Sequence, residues 1–192
     1  MYELNYGFHE NETVTLLDLG NSVISVNIVQ DGITSFTRDL SLGGADITEE
    51  IQRQLNITYD EAEIYKMGSV SPEAVGDLET AAGEDEVLPQ EVERIIQEQA
   101  GEIAEKLQES LNFYAASAAD SHIDKIAVTG GTGAISSLRR TLSSMTDIEV
   151  ELANPFRAIH WDEGTFSPDD IEEWAPIAGV AVGLALRRTD ER

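Results

Sequence analysis

Two glycine-bearing strand ends carry the residue types from which phosphate and metal sites are built. The first is Asp18-Leu19-Gly20-Asn21-Ser22, a carboxylate closing an apolar strand just before a tight turn. Such a carboxylate can hold a hydrated Mg²⁺ while the turn amides receive phosphate oxygens. The second is Val128-Thr129-Gly130-Gly131-Thr132-Gly133, where a strand runs into a helix. Glycines there let a ligand approach the backbone, and the helix start favours an anion or a polar ring edge. This run has neither the G-x-G-x-x-G spacing of a dinucleotide site nor the lysine of a Walker loop. A third pair, Glu63 and Lys66, is spaced i, i+3 and so shares one helix face, where it could bond a ribose and an adenine edge. Each feature taken alone also fits a plainer role. Asp18 can bond the amides of an ordinary hairpin, the glycines can form a simple strand–helix turn, and Glu63–Lys66 can be a surface ion pair. His9, His122 and His160 show no ligand spacing and no Ser or Asp arranged for a triad.

The elements that position these residues are legible from periodicity and punctuation. Thr13 to Leu19 is β-branched and apolar; Val23 to Val29 resumes strand character after Gly20-Asn21-Ser22. Asp31-Gly32 supplies a hairpin turn into a third strand, Ile33 to Leu42, giving three consecutive antiparallel strands. Asp46 with Glu49, and Thr58 with Glu61, stand at capping-box spacing, and Ile47, Ile51 and Leu55 form one apolar stripe. Gly68 to Leu88 reads as an acidic connector in which Ser71-Pro72 opens one short helix, and the acidic run Asp77 to Glu98 as a solvated face, with divalent-cation binding as its alternative. Pro89 starts the longest helix, with Val92, Ile96, Ala100, Ile103, Leu107, Leu111 and Tyr114 recurring every three or four residues. Lys125 to Thr129 is a buried-type strand, followed by a helix from Ile135 to about Ser144 and a strand from Ile148 to Leu152. Ser167-Pro168 opens a last helix ending near Arg188, with Trp174, Ile177, Val180 and Leu184 expected to face inward.

Composition narrows the functions. The chain has 192 residues, 37 Asp and Glu against 12 Lys and Arg, a net charge of −25 and no cysteine. Disulfides, Cys-ligated zinc, iron–sulfur clusters and thiol nucleophiles are excluded. The charge argues against DNA, RNA and anionic lipid as partners, since all would be repelled. Hydrophobic residues make up 41% of the chain, enough for a folded core. An acidic surface with three lysines is what a salt-adapted interior would favour. The start lacks a basic and apolar leader, and the longest apolar stretch, Ile177 to Leu186, is about half a membrane span. The chain therefore reads as cytoplasmic, with no membrane insertion.

The order of motifs is more specific than any one of them. A DLG strand turn, the Gly43-Gly44-Ala45-Asp46 helix entry, the E-x-x-K pair and a late strand–GGTG–helix occur in one sequence. That order resembles the second half of the actin-like ATPase superfamily, which includes the heat-shock chaperone ATPases and the division protein FtsA. Within it the chain most resembles the PilM family of type IV pilus assembly proteins. The narrower match rests on Ile47-Thr48-Glu49-Glu50-Ile51-Gln52-Arg53, Ser110-Leu111-Asn112-Phe113-Tyr114, Ala153-Asn154-Pro155-Phe156 and Gly183-Leu184-Ala185-Leu186-Arg187, which span nearly the whole chain.

The resemblance implies an α/β fold, the ribonuclease H-like second lobe of an actin-like ATPase, with a mixed sheet flanked by helices. Residues 1–42 and 89–192 would form the core subdomain, and residues 43–88 an inserted, mostly helical one. It implies ATP and Mg²⁺ as cofactors. Asp18, Gly20, Asn21 and Ser22 match the second phosphate loop, with Asp18 nearest the metal. Gly130, Gly131 and Thr132 match the adenosine motif, and Glu63 with Lys66 the ribose and adenine contacts. Ile24 stands where relatives often carry a hydroxyl residue, leaving Ser22 and Ser25 nearby. Only 17 residues precede Asp18, too few for the first lobe and its phosphate loop, so the chain is expected to be the second lobe alone. Weak nucleotide affinity and no hydrolysis follow, because one wall of the cleft is absent. The implied role is an ATP-responsive scaffold of the pilus inner-membrane platform, with an active ATPase and a nucleotide-independent scaffold as alternatives. Implied partners are the tail of a PilN-type membrane protein, held mainly by the first lobe, and other pilus assembly proteins.

Overall fold

The computed structural model describes residues 1–68, 88–117, 122–162 and 164–186. Its centre is a five-stranded sheet in the order β3-β2-β1-β4-β5. The strands are β1 (Thr13–Leu19), β2 (Ile24–Gln30), β3 (Ile33–Leu40), β4 (Lys125–Thr129) and β5 (Glu149–Leu152). β1 pairs antiparallel with β2, and β2 with β3, as the two turn signals predict. Asp31 and Gly32 both adopt positive φ, 51° and 78°, as a tight hairpin requires. β4 then lies parallel to β1, and β5 parallel to β4. The sheet is therefore antiparallel on one side of β1 and parallel on the other.

Helices α2 (Gly44–Leu55), α3 (Tyr59–Gly68), α4 (Leu88–Ser117) and α5 (Ser136–Thr146) follow in chain order. One sheet face is closed by α2, α4 and α5 around a core that includes Leu17, Leu19, Ile24, Val26, Ile126 and Val128. All seven residues of the predicted α4 stripe, Val92 to Tyr114, are buried there, as are Ile47 and Ile51 of α2. α2 and α3 thus share the core of the sheet.

The opposite face is covered by α1 (Tyr2–Tyr6), a helix that periodicity does not announce. Tyr2, Val14, Ala127 and Ala153 form a second cluster, and the rings of Tyr2 and Tyr6 stack at 4.8 Å. Asn5 pins this helix: its Nδ2 donates to the Pro155 carbonyl at 2.9 Å, and its Oδ1 accepts from the Ala158 amide at 2.7 Å. The Ala153-Asn154-Pro155-Phe156 segment is thus the dock for α1.

Three local expectations are corrected. The cap of α2 is Gly43, whose amide donates to Asp46 Oδ2 at 2.7 Å, so the helix starts before the Asp46–Glu49 pair. The Thr58–Glu61 pair does cap α3, through the Thr58 amide at 2.8 Å and hydroxyl at 2.7 Å. The last predicted helix is two, α6 (Pro168–Trp174) and α7 (Gly179–Ala185), broken at Pro176, which has no amide to donate. Trp174, Ile177, Val180 and Leu184 are exposed, not turned inward. The Ser71-Pro72 helix and the end near Arg188 lie outside the described residues.

Candidate functional site

In sheets with parallel strands, ligands gather at the carboxyl ends of those strands, where the chain turns away. Here the carboxyl ends of β1 and β4 are adjacent, with Asp18 opposite Thr129 in register. The two glycine runs follow directly from these strand ends and meet in space. Gly130 holds φ +91°, and a Cβ there would overlap the Leu19 carbonyl oxygen and crowd Asp18 Oδ1 at 2.9 Å. Gly43 is equally confined, since its Cβ would fall 2.5 Å from the Asn21 carbonyl oxygen. The start of α2 is sewn to the first turn by two bonds: the Gly44 amide to the Gly20 carbonyl at 2.9 Å, and the Ala45 amide to the Asn21 carbonyl at 2.8 Å.

The structure divides the sequence-predicted residues between two separate openings. Asn21, Glu63, Lys66, Gly131 and Thr132 line one pocket of about 270 Å³, together with Met67, Ile135 and Ile177. Asp18 lines another, of about 250 Å³, on the sheet face covered by α1, with Ser25, Asn27 and Thr129. Asp18 bonds across to β4, its Oδ1 accepting from the Thr129 hydroxyl at 3.1 Å. Gly20 and Gly130 line neither of these two openings, and Ser22 is exposed. Ile24 is wholly buried in the core, and the Ser25 hydroxyl donates to Asp39 at 2.8 Å.

Lys66 is almost fully buried, with 3% exposure, and its ammonium is spent on protein acceptors. It donates to the Gly44 carbonyl at 3.0 Å and the Thr48 hydroxyl at 2.7 Å, and pairs with Glu63 Oε2 at 2.7 Å. Thr48 in turn donates to Glu63 Oε2 at 2.6 Å. The pair therefore ties α3 to the start of α2. The Glu63 side chain remains 39% exposed at the pocket.

Sequence reasoning missed the segment that closes this site from the C-terminal side. The Gly130 amide donates to the Pro176 carbonyl at 2.8 Å, and Ile177 Cγ2 lies 3.4 Å from where a Gly131 Cβ would stand. The Trp174-Ala175-Pro176-Ile177 break carries the signal, because a proline inside a helical pattern interrupts the helix and leaves the residues of the break outside its hydrogen-bond ladder. It also missed Arg139, which donates to the Gly133 carbonyl. Burial, with the neighbouring Arg140, pulls the Arg139 pKa below its ordinary value. Among the described residues, no cluster of three or more His, Asp or Glu is arranged to hold a metal ion.

Comparison with known proteins decides the family. The model for "Type IV pilus assembly protein PilM" matches residues 5–189. The chain belongs to the PilM family. Its fold is similar to a solved PilM–PilN type IV pilus biogenesis complex, with TM-score 0.71 and 22% identity over 96% of this chain and 48% of that one. It is also similar to the ethanolamine utilization protein EutJ from Carboxydothermus hydrogenoformans, with TM-score 0.61 and 17% identity over 91% of this chain and 48% of that one. Ta0583, an archaeal actin homolog, gives TM-score 0.59 and 14% identity over 97% of this chain and 53% of that one. The fold is thus α/β and actin-like, and this chain of the PilM family spans about half the length of these relatives.

Proposed function

We propose that the chain is a nucleotide-responsive, actin-like lobe acting in type IV pilus assembly as a scaffold in the cytoplasm. The observation that supports the reading is the meeting of both glycine runs with Glu63 at the carboxyl ends of β1 and β4, over a pocket of about 270 Å³. On this reading the pocket takes the nucleoside side of ATP. The Glu63 carboxylate accepts from ribose hydroxyls, and Gly131 and Thr132 leave room for the base. Asp18 holds the hydrated Mg²⁺ beyond Gly130, and the backbone around Gly20 and Asn21 faces the phosphates. The residues fit such a group in kind: a carboxylate at a strand end, and glycines where a Cβ would collide. They fit it in part by size, since closed small-molecule sites measure ~300–1,000 Å³. Magnesium supplies charge neutralisation between phosphate oxygens when bound.

The partner on this reading is the cytoplasmic tail of a PilN-type membrane protein, as the complex formed by the solved PilM relative supports. No described helix is long and apolar enough to cross a membrane, so contact with the membrane would come through such a partner.

A nucleotide-independent scaffold is favoured by one specific observation, the engagement of all three Lys66 donors by protein acceptors. Thermal unfolding separates the two readings. Millimolar Mg-ATP should raise the Tm of the chain slightly, by no more than about 0.4 kcal/mol of linkage at a ligand concentration equal to Kd. It should raise the Tm of a two-lobed PilM protein much more, and Asp18→Ala should remove the shift. An unchanged Tm in both proteins would leave the nucleotide-independent scaffold.

A further inference from the structure

Among the described residues the sheet has two edges, β3 and β5. An edge strand presents backbone amides and carbonyls that no partner strand meets, and proteins blunt such rows with lysine, proline or a bulge. β3 has neither lysine nor proline. Its register slips once, between Ile28 and Val29 of β2, and past that slip Phe36 to Leu40 pair regularly with Ile28 to Ile24. The slip therefore blunts only the start of the strand. Apart from Phe36 and Leu40 every residue of β3 is exposed. Its two faces differ. On the face toward α4 the Phe36 ring lies 5.9 Å from that of Phe113, which is 65% exposed, and Arg38 donates to Ser110 Oγ at 3.3 Å. On the opposite face Asp39 accepts from the Ser25 hydroxyl at 2.8 Å and has no cationic partner among the described residues.

We propose that β3 is the docking edge for an extended segment of a partner protein, added as an outer strand, in which apolar and basic residues alternate. Backbone chemistry sets its shape, because an extended chain is what meets the free amides and carbonyls of a sheet edge in register. The two faces of β3 set its side chains, since successive residues of a strand point to opposite faces. One set meets Phe36 and Phe113 beside the Arg38 guanidinium, so it is apolar or aromatic and carries no positive charge. The other set lies beside Asp39, where a lysine or arginine completes a charge pair. The protein's net charge of −25 draws a cationic segment and repels a second copy of the chain. β5 offers less, being four residues long and without an aromatic side chain.

Amide hydrogen exchange of the whole chain, with a capped peptide of alternating valine and lysine matching the eight residues of β3, tests this. The peptide is titrated over roughly 10 µM to 1 mM, the range of weak association. The expected result is slowed exchange at the outward amides of β3 and none at β5. Two further peptides, N-methylated on one or the other set of alternate residues, keep the charge and the side chains but lose the donors of one edge. One of them should bind about tenfold or more weakly, and the other as the parent peptide does. Phe113→Ala should weaken the parent peptide about three- to tenfold, and Asp39→Asn about two- to fivefold. Glu172→Gln, an equal loss of charge at an exposed position on α6, should leave binding unchanged. Circular dichroism confirms that each variant is folded. Absence of binding, equal binding by both N-methylated peptides, or equal slowing at β5 would overturn the proposal, the last two by showing mere attraction to an acidic surface. Slowed β3 exchange on raising protein concentration alone would overturn it in favour of a second copy. None of these outcomes touches the nucleotide reading, because no nucleotide is present.

Discussion

Replacing Lys66 by methionine separates the two roles its position allows. Methionine keeps the apolar stem and removes all three donors. The Gly44 carbonyl and the Thr48 hydroxyl, 3.0 and 2.7 Å from Nζ, then lose a charged donor in a buried setting. Each such bond contributes ~1.5–3 kcal/mol. The pair with Glu63 counts as a surface pair, because that side chain is 39% exposed, and contributes ~0–1 kcal/mol. Two effects oppose the loss. The folded state no longer strips water from an ammonium, and the thioether gains apolar burial of ~1–2 kcal/mol. The balance is a destabilisation of about 2 kcal/mol, or a Tm lower by ~4–8 °C for a chain of this size. Urea unfolding at neutral pH measures it, and Thr48→Val with the double variant completes a cycle whose coupling should be about 1 kcal/mol. If Lys66→Met unfolds within ~0.5 kcal/mol of the parent, the size of an ordinary surface substitution, the network is incidental. The ammonium would then be free to serve a ligand.

Gly130→Ala should destabilise by about 3 kcal/mol or more, since it combines a φ of +91° with overlap of the Leu19 carbonyl. Gly101→Ala, in α4 with nothing within 4 Å of the new Cβ, should stabilise by ~0.5–1 kcal/mol; the same urea titration reads both. Raising KCl should raise the Tm by screening the −25 charge, and a Tm indifferent to salt would count against a salt-adapted surface. Acid should first stabilise and then destabilise the fold, as a Tm–pH profile will record. Protonation toward the pI near 4.1 relieves repulsion. Against it stand carboxyls whose folded pKa is depressed, and which stabilise above the unfolded value of ~4.3 and lose that as pH falls. Glu50 is held at about 2 by Arg53 and Gln54. Burial would raise Glu12, but the His9 amide and Lys125 outweigh it and hold it low. Burial would likewise lower Lys125, but Tyr2 and Glu12 raise it above the ordinary lysine value. Its stabilisation is therefore present below ~10.4 and lost only as pH rises through the raised value.

Local chemistry made most of the fold legible. The Asp31-Gly32 turn fixed one hairpin, and the Val92-to-Tyr114 stripe fixed the long helix, because both depend on residues close in the chain. The motif residues were located by the turns they form, and the structure brings the two glycine runs together as their adjacency to β1 and β4 requires. What stayed hidden depends on partners distant in sequence. Helix α1 is five residues long and too short for a period; it exists because Asn5 bonds Pro155 and Ala158. The outward turn of Ile177, Val180 and Leu184 was hidden for the same reason. A helix pattern shows that a face is apolar, while the burying surface, here Met1 and Thr129 against Gly179 and Gly183, decides which face turns in. The capping of α2 by Asp46 was read one turn late, because Gly43 has no side chain to announce a cap.

The arrangement of the cations explains why nucleotide affinity, on the proposed reading, belongs to two lobes rather than to this one. A triphosphate brings several negative charges to a chain already at −25. Lys66 and Arg139, two basic residues beside the glycine turns, both point at backbone carbonyls, of Gly44 and Gly133 respectively. The Gly130 amide, which could have met a phosphate oxygen, is given to Pro176. These bonds hold the turn rigidly where a ligand would rest, and they leave little positive charge to meet it. On the proposed reading, phosphate would then be met by Mg²⁺ held at Asp18 and by donors from another polypeptide surface. On the same reading this chain would supply shape and the Asp18 carboxylate, and affinity would follow only when a second surface closed over it. A scaffold that responds to nucleotide needs that division, because binding then reports whether the lobes are together.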